Sequence, residues 1–228
     1  MKITKEQLAG MIDHSLLRPN ATREQLKKLC EEAMDYRFKA VCVNPIHVAE
    51  AVQLLRDSKV LVCSVVGFPF GTHSYKTKAF ETGEVIRLGA QEIDMVIRVG
   101  ALKEGRDREV VEDIQSVVQS AGGNPVKVIF ETCYLTAEEI IRGCKLSVEA
   151  GASFVKTSTG FAEGGARVED IKLMREVVGK DFGVKAAGGI RTLEDALKMI
   201  KAGANRLGTS GSVAIVQAIK IDNSSIKL

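Results

Sequence analysis

Apolar residues in this chain fall into short, dense runs separated by longer stretches in which they recur every three or four positions. The dense runs are rich in Val, Ile and Cys. They predict strands near Ile12–Leu16, Ala40–Val43, Val60–Val66, Glu92–Val99, Val126–Glu131, Ser153–Thr157, Gly183–Ala187 and Arg206–Gly208. The stretches between them predict amphipathic helices. Arg23–Tyr36 carries Leu26, Leu29, Cys30 and Ala33 at helical spacing, and Glu139–Ala150, Glu169–Val178 and Leu193–Ala202 repeat the pattern. Thr22 and Thr192 stand where N-caps belong, and Thr136-Ala137-Glu138-Glu139 has the form of a capping box. Eight strands alternating with helices predict an α/β fold closed as a (β/α)8 TIM barrel, one domain over residues 1–228. The first strand has the weakest pattern. Without it, the same alternation fits a doubly wound open sheet.

An internal repeat favours closure. Gly89-Ala90, Gly151-Ala152 and Gly203-Ala204 each end a helical stretch just before a strand, where glycine accepts the left-handed conformation of a helix terminus. Five residues beyond each glycine stand Asp94, Lys156 and Gly208. On the fourth, sixth and eighth strands, these residues share one layer of a barrel interior.

Polar residues inside apolar strands supply the candidate chemistry. Lys156 sits in Phe154-Val155-Lys156-Thr157-Ser158-Thr159-Gly160-Phe161, and Lys185 in Gly183-Val184-Lys185-Ala186-Ala187. Burial favours the neutral amine over the ammonium, whose free pKa is roughly 10.4, and a neutral amine attacks carbonyls to give Schiff bases. A lysine at a strand end that snorkels to water is the alternative for either residue alone. Two such lysines repel each other, and Asp94 on a third strand is placed to compensate one and to relay protons. The competing explanation is a buried ion pair between Asp94 and one lysine, which leaves the second lysine uncompensated. Glycines follow at the strand ends: Gly160, Gly188-Gly189, and Gly208-Thr209-Ser210-Gly211-Ser212, the last opening a short helix. Backbone amides at such turns bind anions, and the loops after barrel strands seven and eight frequently hold a phosphate. Tight βα turns alone also account for glycine there.

Composition narrows the class further. The chain has 228 residues, 45% hydrophobic and 27% charged, with a net charge of +3. That balance gives no basic patch for nucleic acid, and no apolar run reaches the ~18 residues of a membrane span. The N-terminal Met1-Lys2-Ile3-Thr4-Lys5-Glu6 lacks the apolar core of a signal peptide, so a cytoplasmic protein is expected. Cys30, Cys42, Cys63, Cys133 and Cys144 are odd in number and without CxxC spacing, and His14, His47 and His73 are scattered. No metal or other cofactor is expected.

The motifs together resemble the deoxyribose-phosphate aldolases, a class I, Schiff-base-forming family. The resemblance runs from about Ile12 to Val216 and rests on IDHSLL at 12–17, CVNP at 42–45, VVGFPFG at 65–71, KAFE at 78–81, EIDMVI at 92–97, IFETCYLT at 129–136, FVKTSTGF at 154–161, VKAAGGIRTLEDAL at 184–197 and RLGTSGS at 206–212. It implies a (β/α)8 barrel that reversibly cleaves 2-deoxy-D-ribose 5-phosphate to D-glyceraldehyde 3-phosphate and acetaldehyde without a metal. It also implies a small phosphorylated sugar as partner and a homo-oligomeric state. Carried over, Lys156 is the Schiff-base lysine, Lys185 the lysine that tunes it and Asp94 the proton relay, while Gly160, Gly188, Gly189, Gly208 and Ser210 hold the phosphate. Another Schiff-base barrel, such as a transaldolase-like enzyme, and a catalytically impaired phosphate-binding barrel are the alternatives. Three departures from the family pattern stand out. Arg98 replaces an asparagine frequent in relatives and is expected to face the same side as Asp94. The Thr209-Ser210-Gly211 turn differs by a residue. The tail from about 220 is expected to be mobile and lacks the terminal tyrosine of some members.

Overall fold

A computed structural model describes residues 2–219 and 225–227. Strands and helices alternate from the first barrel strand onward: β1 (Ile12–Leu16), α1 (Arg23–Tyr36), β2 (Ala40–Val43), α2 (Val48–Leu54), β3 (Leu61–Val66), α3 (Tyr75–Arg87), β4 (Glu92–Val96), α4 (Asp107–Ser120), β5 (Val126–Ile129), α5 (Ala137–Glu149), β6 (Phe154–Lys156), α6 (Val168–Val178), β7 (Gly183–Ala187), α7 (Leu193–Ala202), β8 (Arg206–Thr209) and α8 (Ser212–Gln217). The eight strands are parallel and close into a barrel. Closure rests on β1, which pairs with β2 through Asp13 opposite Ala40 and with β8 through Asp13 opposite Gly208. The open-sheet alternative is therefore excluded. Short helices at Lys5–Ala9 and Val99–Lys103 are additions to the expected pattern. The expected mobile tail falls partly on residues 220–224 and 228, outside the described residues; Ser225–Lys227 runs antiparallel to Lys2–Thr4.

The local signals act as the chain's chemistry requires. Thr22, Thr136 and Thr192 each accept the N3 amide while the N3 side chain reaches back, which makes three complete capping boxes. At Gly89, Gly151 and Gly203 the glycine has φ between 81° and 117°. The alanine that follows each one donates back to Val85, Ser147 or Met199 at 2.9–3.0 Å, the hydrogen bond of a Schellman helix end.

Alternation along each strand separates two environments. Outward residues such as Ile93, Met95, Val128, Val155, Val184, Ala186 and Leu207 join one large core between barrel and helices. Fully burying a side chain of this kind contributes about 1.5–3 kcal/mol, and this core holds the barrel closed. Inside the barrel, β2 and β3 contribute a small patch of Ala40, Cys42, Cys63 and Val65. The charged residues of the interior come from β1 and β4–β8, with the apolar Val96, Ile129 and Ala187 on the same inward faces. No helix of the described residues is long and apolar enough to cross a membrane.

Candidate active site

Period-two geometry sends Asp94, Lys156 and Lys185 inward from β4, β6 and β7. All three are buried, and they meet at one carboxylate oxygen. Asp94 Oδ2 accepts from Lys156 Nζ at 2.6 Å and from Lys185 Nζ at 2.7 Å. The three residues singled out in the sequence thus form one cluster, and Lys156 lies directly opposite Lys185 in the register of β6 and β7.

The cluster is larger than the sequence reading held. Lys127 on β5 donates to Asp94 Oδ1 at 2.8 Å and pairs with Glu92 Oε2 at 2.7 Å. Asp13 on β1 accepts from Lys185 through one oxygen and from Arg206 Nη1 through the other at 2.7 Å. Arg206 also bonds Glu92 at 2.9 and 3.2 Å. Four cations, Lys127, Lys156, Lys185 and Arg206, therefore meet three carboxylates, Asp13, Glu92 and Asp94, leaving one positive charge in excess. The expectation that Asp94 alone would leave the second lysine uncompensated is corrected: Asp13 compensates Lys185.

Protonation follows this geometry. Burial alone would raise the Asp94 pKa, but Lys127, Lys156 and Lys185 hold the carboxyl well below the usual range. Burial disfavours the Lys185 ammonium, but Asp13 and Asp94 outweigh it and raise its pKa. Lys127 is raised in the same way by Asp94 and its neighbours.

Cys42 and Cys63, register partners on β2 and β3, border the cluster. Cys63 Sγ lies 3.2 Å from Asp94 Oδ1 and 3.4 Å from Lys127 Nζ. Cys42, Cys63 and Asp94 bring three metal-type ligands within 4.8 Å, a grouping the scattered histidines did not suggest. Three ammonium groups already bond this carboxylate, an environment that repels a cation.

The glycine-rich turns converge at the barrel mouth. A Cβ on Gly188 would approach Gly165 Cα to 3.0 Å, Ser158 Cβ to 3.3 Å and Gly160 Cα to 3.7 Å, so these backbones lie against one another. Ala166 N–H donates to Gly188 O at 3.0 Å and seals the contact. Gly160, Gly189 and Ser210 are exposed on this rim, and Gly188 is half-buried. Gly208 is different. It is buried, and a Cβ there would meet Lys185 Cε at 3.0 Å and Ala187 Cβ at 3.1 Å, so its missing side chain makes room for the lysine. The buried Ser158 hydroxyl, beside Gly188, has no hydrogen-bond partner among the described residues.

Arg98 does not face Asp94. β4 ends at Val96, the alternation stops there, and the Arg98 guanidinium bonds Glu109 Oε2 on α4 at 3.0 Å. Lys127 had a legible signal, a lone lysine within Val126-Lys127-Val128-Ile129. Glu92 and Arg206 stand two residues before Asp94 and Gly208 and so share their faces.

Residues 8–217 match the DeoC/LacD family aldolase domain. The chain belongs to that family. A deoxyribose-phosphate aldolase of Carboxydothermus hydrogenoformans is 56% identical over 221 residues, covering 95% of this chain and 97% of the relative. A crystal structure from Coccidioides immitis, of a protein proposed to be a deoxyribose-phosphate aldolase, is 45% identical with a TM-score of 0.93 and covers 96% of this chain and 87% of its own. A tetrameric deoxyribose phosphate aldolase from Aeropyrum pernix is 33% identical with a TM-score of 0.90, covering 96% and 93%. Membership of this aldolase family agrees with a closed parallel barrel whose interior gathers amines around a carboxylate.

Proposed function

We propose that this protein is a class I aldolase that reversibly cleaves 2-deoxy-D-ribose 5-phosphate to D-glyceraldehyde 3-phosphate and acetaldehyde, with Lys156 as the Schiff-base residue. The observation that carries the assignment of roles is the unequal share of carboxylate between two lysines on one oxygen. Among the described residues, Lys185 is ion-paired with both Asp13 and Asp94, whereas Lys156 is ion-paired with Asp94 alone. In a cluster with one excess positive charge, the residue with the smaller share is the one suited to act as a free amine.

In this reading the Lys156 amine adds to C1 of the open-chain sugar phosphate, and loss of water gives an imine. Water of the Asp94–Lys185 relay takes up the C3 hydroxyl proton, the C3 oxygen becomes the aldehyde carbonyl as the C2–C3 bond breaks, and the electron pair of that bond flows into the imine. D-Glyceraldehyde 3-phosphate leaves, and an enamine of acetaldehyde remains on Lys156. Proton return to the enamine carbon runs through water, Asp94 and Lys185, and hydrolysis then frees acetaldehyde. The amides of Gly160, Gly188 and Gly189, with Ser210, hold the phosphate and so orient C1 toward the amine, while Gly208, buried in β8, serves by leaving room for Lys185. Arg98, the residue that would have favoured an impaired site, is bonded to Glu109 away from Asp94, which supports an active relay. The same proposal includes a homo-oligomer, in line with the tetrameric relative, and a cytoplasmic location.

The experiment is reductive trapping. Borohydride added during turnover should fix a carbon adduct on Lys156 and on no other lysine, read by peptide mass. An adduct on Lys185 would exchange the two roles, and none at all under turnover would overturn the imine mechanism.

A further inference from the structure

The geometry points to Glu131 as a positioning residue that holds the Thr159–Phe161 turn in the shape that presents the Gly160 amide to the substrate's phosphate. The inference rests on the phosphate site proposed above and adds to it a residue from a neighbouring strand.

Glu131 follows β5 and has φ 55° and ψ 64°. It is one of two non-glycine residues with positive φ among the described residues, and the other, Arg37, closes a helix. A non-glycine residue in the left-handed region costs about 1–3 kcal/mol and persists only where its surroundings fix it. Here the inter-strand ladder fixes it. On one side Phe130 N–H donates to Lys156 O at 2.9 Å, and on the other Thr132 N–H donates to Thr157 O at 3.0 Å. The left-handed residue between these bonds turns its side chain over the end of β6.

Glu131 is only 4% exposed, and among the described residues its side-chain hydrogen bonds all go to one residue. Thr159 N–H donates to its two oxygens at 3.2 and 3.3 Å, and the Thr159 hydroxyl donates to Oε2. A carboxylate accepts only, so the single hydroxyl proton of Thr159 is committed to it. The lone pairs of that hydroxyl are left for Phe161 N–H, which donates to Thr159 Oγ1 at 3.0 Å. One chain of bonds thus fixes the residues on either side of Gly160, whose φ is +84°. The Phe161 ring packs edge-on against Phe68 at 5.3 Å and anchors the far end. Gly160 is then held beside Gly188, the two backbones that would share the phosphate.

Glu131→Ala removes both acceptors, whereas Glu131→Gln keeps a carbonyl oxygen for Thr159. The readouts are kcat and KM for 2-deoxyribose 5-phosphate and for unphosphorylated 2-deoxyribose, together with inhibition by inorganic phosphate. Loss of a hydrogen bond to a charged group should lower kcat/KM for the phosphorylated sugar about 10- to 100-fold in Glu131→Ala, mainly through KM, and weaken phosphate inhibition to match. The unphosphorylated sugar should lose far less, and Glu131→Gln should recover most of the difference. Thr159→Val, which removes the hydroxyl at constant shape, should give the same KM-weighted loss if Glu131→Ala fails to fold. Equal losses on both sugars, or phosphate inhibition unchanged in either variant, would overturn the role of Glu131. Wild-type enzyme indifferent to the 5-phosphate would instead overturn the phosphate site itself.

Discussion

Lys156 and Lys185 bond the same oxygen of Asp94 and differ in what else they touch. That difference sets a prediction. In Lys185→Leu, Asp94 Oδ2 belongs wholly to the Lys156 ammonium, and a cation that repelled it is gone. Turnover should fall, and the rising limb of the pH–rate profile should move to higher pH. A normal rate with an unmoved limb would make Lys185 a structural residue. Asp94, Lys156 and Lys185 were legible because each interrupts an apolar strand. Asp13 was not, because Ile12-Asp13-His14-Ser15 has too few apolar neighbours for a charge to stand out. Glu131 was hidden for another reason: its position depends on a backbone angle that no residue pattern announces.

Helices and strands are legible wherever one face is apolar, and their ends are not where burial outlasts the extended strand. The pattern predicts β4 to Val99 and β5 to Glu131, yet the strands end at Val96 and Ile129, with single backbone bonds from Ile97 N–H to Ile129 O and from Phe130 N–H to Lys156 O continuing past them. Ile97 and Phe130 remain fully buried, so the apolar run continues after the strand has ended. α3 shows the converse. Its buried face carries Lys78 and Thr82 beside Val85, so no apolar stripe marks it. Lys78 is buried against Asp113 of α4 at 2.6 Å and Val96 O at 2.7 Å. Burial lowers the Lys78 pKa and raises that of Asp113, and each offsets part of the other's shift. Lys78→Met should therefore cost about 3–5 kcal/mol, because it strands a buried carboxylate. Adding Asp113→Leu should return most of that loss. Urea unfolding of the two variants measures both values, and a double variant no more stable than the single would show that packing, not charge, sets the cost.

At the scale of the whole molecule, closure depends on β1, the strand with the weakest apolar pattern. Its inward face carries Asp13, which belongs to the charged interior, and that interior makes the barrel's stability depend on pH. The Asp94 carboxyl has a folded pKa well below its unfolded value of roughly 3.9, so its contribution is present above that pH and lost as pH falls through the folded value. Asp13 is lowered as well and adds to the same acid flank. Glu131 and Asp113, raised by burial, act in the opposite sense, with a contribution that is larger at low pH. Asp94→Asn separates these opposing trends, because the other groups remain in both proteins. At neutral pH the variant leaves Lys127, Lys156 and Lys185 without their shared carboxylate, and a loss of about 3–5 kcal/mol is expected. As pH falls below ~4, the unfolded wild-type chain takes up a proton at Asp94 that the folded chain still excludes, so the gap between the two stabilities should narrow progressively and close only at the much lower folded value. Urea midpoints at intervals between pH 3 and 7 give the difference directly. A constant gap across that range would mean that Asp94 titrates alike in folded and unfolded chains. The three lysines would then be held by packing and by Asp13 and Glu92 rather than by the carboxylate at their centre.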